Sequence, residues 1–262
     1  MTSRRPAPGL SVFGPDTAPP LVLVHGIRLS AAMWRPHARR LAPEFRVSTP
    51  DLPCHGALTD RPFTLDAAVA TVRLAVREAY EATGRRPLLV GLSLGGYVSL
   101  AHAARHPEDL AALLLHGCTA RTTGRRAAAY AAAGRLNDRM GYERSARFQA
   151  WAMRRMLPPE SAEAVLAGGF HLPALTEGVA ELRRHDFLAL AGRLTTPTLF
   201  LNGGSDLPFR ADERRFLAAV RAAGTPARLF HTPGGHLLSL TDPDRFAALL
   251  RRAHRQLLPT AG

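Results

Sequence analysis

"LLVGLSLGGYVSL", residues 88–100, sets an apolar run against a helical pattern, with a serine wedged between glycines at the join. Residues 88–92 read as a buried strand and 95–105 as a helix. Gly91-Leu92-Ser93-Leu94-Gly95 therefore fits Gly-x-Ser-x-Gly in the strand–turn–helix context that gives the pattern its meaning. The turn is sharp, so bulk at either glycine would collide with the neighbouring helix or strand. Ser93 is expected in a strained conformation with its oxygen above the sheet. The plainer alternative is a turn whose serine only caps the helix, and the pentapeptide alone does not choose between them.

The partners of such a serine decide the matter, because a hydroxyl is a poor nucleophile until a base takes its proton and an acid orients that base. The apolar run "TLFL" leads through "NGGSD" to Asp206, at the strand end where ligands gather in open α/β sheets. "RLFH" leads to "TPGGHLLSL", which carries His236 on a glycine-rich loop. Asp206 could instead cap the next helix, and His236 could be an ordinary loop histidine. Three such residues at three strand ends in the order Ser93, Asp206, His236 are a much less frequent coincidence than any one of them. A fourth element is "LVLVHGIRLSAAMW", whose strand ends in His25-Gly26. The backbone N–H groups of Ile27 and Leu94 are assigned to an oxyanion hole, where one such donor contributes about 3 to 4 kcal/mol to lowering a barrier. His25 is expected to be structural, turned into the loop beneath.

Outward from this site, short β-like runs alternate with helical patterns. Strands are expected at 10–13, 21–24, 46–49, 88–92, 113–115, 198–201 and 228–231. Helices are expected at 33–41, 64–82, 95–105, 210–223 and 243–257. This alternation predicts an α/β fold, a mostly parallel sheet with helices on both faces. It breaks between 118 and 193, where only helical segments punctuated by Gly and Pro occur. The organisation expected is one domain, with residues 1–117 and 194–262 forming the core and 118–193 a helical insertion over one sheet edge.

Composition limits the partners. The 262 residues carry 34 basic and 21 acidic side chains, a formal charge of +13, and every basic residue is Arg. The arginines are spread along the chain, with no zinc-finger spacing, stacking-aromatic motif or basic helix, so a solvated cationic surface is favoured over nucleic-acid binding. Pro and Gly interrupt the N-terminal segment before an apolar signal core can form, and the apolar runs are too short to span a bilayer. Cys54 and Cys118 show no metal-like spacing and suit free thiols in a reducing compartment. The expectation is a cytoplasmic protein with no membrane partner, no metal and no organic cofactor.

At this point the resemblance is plain. The stretches "LVLVHG", "VSTPDLPCHG", "LLVGLSLGGYVSLAHAARHPE", "PTLFLNGGSDLPF" and "PGGHLLSLTDPDRF" resemble the α/β-hydrolase superfamily, of the esterase, lactonase and carbon–carbon hydrolase type. The resemblance implies an α/β-hydrolase fold in which 118–193 is a helical cap roofing the pocket. One departure stands in "DLPCHG", where relatives commonly have Gly at the position of Cys54, so that loop is expected to differ in shape. In the cap, Met140, Tyr142, Phe148, Trp151, Met153 and Met156 are candidates for an apolar lining, with packing of cap helices the commoner role for such residues. Arg121, Arg125, Arg126, Arg154 and Arg155 could hold an acidic substrate, with surface solvation the commoner role. Arg28 is the first candidate for a carboxylate contact, and His116 and Cys118 for the pocket edge. The implied chemistry is acyl transfer to water from a small-molecule ester or lactone. The same constellation also serves carbon–carbon cleavage, thioester release, perhydrolysis, non-hydrolytic cyclisation or a slow-turnover receptor. Oligomeric state does not follow from the sequence.

Overall fold

A computed structural model describes residues 7–124, 128, 132 and 141–258. Its sheet has seven strands: β1 (Leu10–Phe13), β2 (Pro20–Val24), β3 (Arg46–Pro50), β4 (Leu88–Leu92), β5 (Ala112–His116), β6 (Thr198–Gly203) and β7 (Ala227–Thr232). They lie in the order β1-β3-β2-β4-β5-β6-β7, with β1 antiparallel to β3 and every other pair parallel. β2, β4 and β5 are uninterrupted runs buried along their whole length, as a sheet covered on both faces requires.

Successive side chains of each strand feed opposite faces. Leu113 and Leu115 join the cluster beneath α2 (Leu65–Thr83), α3 (Leu94–Arg105), α7 (Phe187–Ala191) and α8 (Glu213–Ala222). Ala112 and Leu114 join the cluster beneath α1 (Arg35–Leu41) and α10 (Pro243–Leu257), which is closed by Trp34 stacked on Phe246 at 5.8 Å. Burying each such large apolar side chain contributes about 1.5 to 3 kcal/mol. α2 starts where Thr64 Oγ1 accepts from the Ala67 N–H at 3.1 Å, and stops at Gly84.

The expected helix 33–41 is instead a 3-10 turn, Ala31–Trp34, followed by α1. Pro36 cannot donate into a preceding turn, so the α-helix begins beside it. The expected helix 210–223 starts only at Glu213, because Arg210 turns back to donate to the Gly204 carbonyl and to Glu213.

Between β5 and β6 the described residues form helices only: α4 (Tyr142–Met156), α5 (Pro159–Gly168), α6 (Pro173–Leu182) and α7. α6 is tied to the core by carboxylates. Glu177 accepts from the Phe63 N–H at 3.1 Å, and Glu181 from the Leu65 N–H at 2.9 Å, at the N-terminus of α2. That amide, together with His185, holds the Glu181 carboxyl below its ordinary range. The short α9 (Leu238–Thr241) precedes α10. No helix among the described residues is long and apolar enough to cross a membrane.

Candidate active site

Register brings the ends of β4, β5 and β6 level: Leu92 pairs with His116 and His116 with Leu201. Ser93 therefore leaves β4 beside Gly117, and its N–H donates to the His116 carbonyl at 2.8 Å. Ser93 has φ 53° and ψ −115°, a left-handed conformation that an L-residue holds only when its surroundings compel it. Its neighbours compel it. A Cβ on Gly91 would fall 2.3 Å from the Gly95 carbonyl oxygen, and one on Gly95 2.5 Å from the carbonyl oxygens of Val24 and His25. Although Ser93 occupies the N-cap position of α3, its side chain makes no cap hydrogen bond, so the helix-capping alternative does not describe it.

Asp206 follows β6 in a tight turn, its N–H donating to the Gly203 carbonyl at 3.0 Å. The residue is only 4% exposed. Its Oδ2 accepts from His236 Nδ1 at 2.7 Å, so Nε2 is the ring nitrogen turned away from the carboxylate. Gly117 completes the junction, since a Cβ there would stand 2.8 Å from His236 Cε1 and 3.5 Å from Asp206 Oδ2. Ser93 and His236 thus border the same His116–Gly117 peptide. Among the described residues they share no hydrogen bond, a contact that in such sites commonly tightens only with substrate present.

Ile27 and Leu94 meet under α6. A Cβ on Gly178 would lie 3.1 Å from Ile27 Cδ1 and 3.8 Å from Leu94 Cδ1. Leu94 is the first residue of α3, so its N–H belongs to the group a helix leaves without an internal partner. The Ile27 loop is held by imidazoles. His25 accepts from the Leu52 N–H at 3.0 Å and is wholly buried, which pushes its pKa down to about 4. His55 accepts from the Arg28 N–H at 3.2 Å, and burial pushes it down to about 2. Both are therefore neutral acceptors in structural roles. Arg28 has φ 65° and donates to Gln149 Oε1 of α4 at 3.4 Å. Cys54 also has φ 65°, so the loop keeps the left-handed turn that glycine adopts without strain. Burial and the adjacent Glu177 carboxylate push the Cys54 thiol up to about 11.

Two expected pocket residues lie elsewhere. His116 shares the parity of Ala112 and Leu114, so its ring points to the α10 face, 5.5 Å from Phe246, with Nδ1 donating to the Leu201 carbonyl. Burial lowers its pKa to about 4. Cys118 packs wholly buried against Gly96 of α3, and burial raises its thiol pKa. Neither edges a pocket; both are core residues. Trp151 is 59% exposed and stacks on Phe148 at 5.9 Å on the outer side of α4, whereas Met153 packs inward against the core cluster. Tyr142 and Met156 are likewise exposed. Met140, Arg125 and Arg126 lie outside the described residues. Arg121 pairs with Asp212 at 3.5 Å and, with Arg210 and Arg214, lines an open cleft of about 700 Å³ that includes neither Ser93 nor His236.

Sequence reasoning passed over Gly117 and Phe209, whose ring lies on His236. A glycine directly after an apolar strand was the available signal for the first. His106, Glu108 and Asp109 are the one group among the described residues with ligand atoms close enough for a cation, within 4.8 Å. They precede β5, at the opposite end of the sheet from Ser93, and both carboxylates face Arg73.

The model of the alpha/beta hydrolase family matches residues 21–249. The chain is 30% identical over 257 residues to the pimeloyl-(acyl-carrier protein) methyl ester esterase of Methylococcus capsulatus, covering 92% of this chain and 97% of that one. It is 28% identical over 255 residues to the enzyme of the same name from Neisseria meningitidis, covering 90% and 94%. Among solved structures it is similar to a thermophilic esterase from Thermogutta terrifontis, with TM-score 0.73, 28% identity, and 95% and 93% of the two chains covered.

Proposed function

This chain belongs to the alpha/beta hydrolase family, and from that premise we propose that it hydrolyses a small-molecule carboxylic ester or lactone through Ser93, His236 and Asp206. His236 Nε2 takes the proton of Ser93 Oγ as the oxygen attacks the carbonyl carbon. The N–H groups of Ile27 and Leu94 hold the oxyanion, and Asp206 steadies the imidazolium. The tetrahedral adduct collapses, the leaving oxygen takes the proton from Nε2, and an ester of Ser93 remains. Water then adds to that ester, giving its proton to Nε2, and the second collapse releases the acid and restores the Ser93 hydroxyl. The observation that carries the reading is the 2.7 Å bond from His236 Nδ1 to Asp206 Oδ2 at the strand ends where Ser93 stands strained and uncapped.

Arg28 supports a finer reading: an acyl part that itself bears a carboxylate, met by a guanidinium next to the oxyanion loop. Turnover of a panel of neutral esters, dicarboxylic half-esters, lactones and thioesters tests both readings. Esters should be cleaved with a burst of alcohol release and an acyl adduct on Ser93, and lactones through a hydroxyacyl adduct on Ser93 that retains the opened ring's hydroxyl. Arg28→Ala should raise KM for half-esters more than for neutral esters. Cleavage of thioesters or carbon–carbon substrates alone would contradict the assignment.

A further inference from the structure

We propose that Phe209, held from behind by Asn202 and Thr119, is a positioning residue for His236; the inference rests on the serine-hydrolase reading above. The two rings lie face to face, 4.0 Å between centroids and 20° between planes. The bond to Asp206 fixes one point of the imidazole, Nδ1, and leaves the ring able to rock about it. A ring stacked on its face removes that freedom and fixes the direction in which Nε2 points. Gly117 is the other close neighbour, its missing Cβ leaving room for Cε1 and Nδ1.

Both neighbours connect to one side chain, although the Gly117 N–H also reaches the Leu201 carbonyl at 3.2 Å. Asn202 is wholly buried on β6. Its Oδ1 accepts from the Gly117 N–H at 3.3 Å, and its Nδ2 donates to Thr119 Oγ1 at 2.9 Å. The Thr119 hydroxyl in turn donates to the Phe209 carbonyl at 2.7 Å. The second proton of Nδ2 goes to Glu213 Oε2 at 3.0 Å, so the amide has no rotational choice left. Displacing this link moves the two walls of the imidazole together.

The stack also acts on charge. Once His236 has taken the Ser93 proton it is a cation, and the π face of Phe209 attracts that cation more strongly than the neutral ring. An interaction that strengthens only as the proton transfers lowers the barrier without tightening ground-state binding. Among the described residues Asp206 is bonded to His236, and the buried His116, its ring turned to Phe246, lies within electrostatic reach of it.

The test compares wild type with Phe209→Leu, Phe209→Tyr and Thr119→Val. It measures the second-order rate at which a fluorophosphonate phosphonylates Ser93 across pH 5 to 8, and records NMR spectra of ring-labelled histidine. In Phe209→Leu, phosphonylation should slow roughly tenfold. The His236 Cε1–H signal should also lose its upfield ring-current shift. Phe209→Tyr should restore the rate to within about threefold of wild type, with Thr119→Val between the two. A wild-type rate in Phe209→Leu, or a slowed rate that Tyr does not rescue while the His236 signal stays in place, would overturn the proposal. Should Phe209→Leu fail to fold, the Thr119→Val rate and signal decide it. A folded wild type that is not phosphonylated at all would instead sink the serine-hydrolase reading itself.

Discussion

Gly117 and His236 are so close that a Cβ on the glycine would come within 2.8 Å of Cε1 and 2.9 Å of Nδ1. Gly117 also has φ +62°, a conformation that costs an L-residue about 1 to 2 kcal/mol. Gly117→Ala is therefore expected to displace the imidazole and cut ester hydrolysis by roughly a hundredfold or more, with a loss of stability of only about that backbone cost. Steady-state kinetics beside a urea melt checks it; wild-type turnover would show that His236 needs no such clearance.

Asp206→Asn keeps the shape of the side chain but offers an N–H where the imidazole needs an acceptor, so Nδ1 ceases to be the protonated nitrogen. Hydrolysis is expected to fall by about 10³- to 10⁴-fold with the fold intact. A loss below about tenfold, measured on the same ester, would mean that Asp206 does not orient His236.

Cys54 holds a left-handed turn that glycine adopts freely. Cys54→Gly should relieve about 1 kcal/mol and raise the melting temperature by about 2 to 4 °C, offset in part by the lost thiol contact with Glu177. A lowered melting temperature would mean that this contact outweighs the strain.

Acid should unfold this protein early. Burial lowers His25, His37, His102 and His116 from 6.5 to about 4, and His55 to about 2. Above pH 6.5 these imidazoles are neutral in both folded and unfolded chains, so their stability is fully present. Below it the unfolded chain takes up protons that the folded one refuses, and stability drains away as pH falls toward 4. Each group removes at most about 1.4 kcal/mol per pH unit. The midpoint of urea unfolding should accordingly drop steeply between pH 7 and 5; an unchanged midpoint would contradict buried neutral histidines.

The strands were legible because β2, β4 and β5 are long apolar runs bounded by turn residues, and every expected strand lies within two residues of an observed one. The elbow was legible because its sequence demands a conformation as well as a chemistry. Helix starts at Arg35 and Glu213 were not, because Pro36 and the Arg210 side chain set them through contacts that periodicity does not carry. His116 and Cys118 were misjudged for a related reason: proximity to a strand end was read without the parity of β5, which sends His116 toward Phe246. Cap residues could be named as candidates but not sorted, since whether Trp151 faces outward and Met153 inward depends on how α4 is seated. Phe209 gave no sequence signal beyond its place in "SDLPF", because its stack on His236 joins two loops 27 residues apart.

The most direct test of the central claim is fluorophosphonate labelling of wild type beside Ser93→Ala, with the modified peptide located by mass spectrometry. One phosphonyl group on Ser93 in the wild type, with none on the Ser93→Ala protein, is the result expected of an activated nucleophile. A folded wild type that stays unlabelled, or that labels equally well without Ser93, would contradict it.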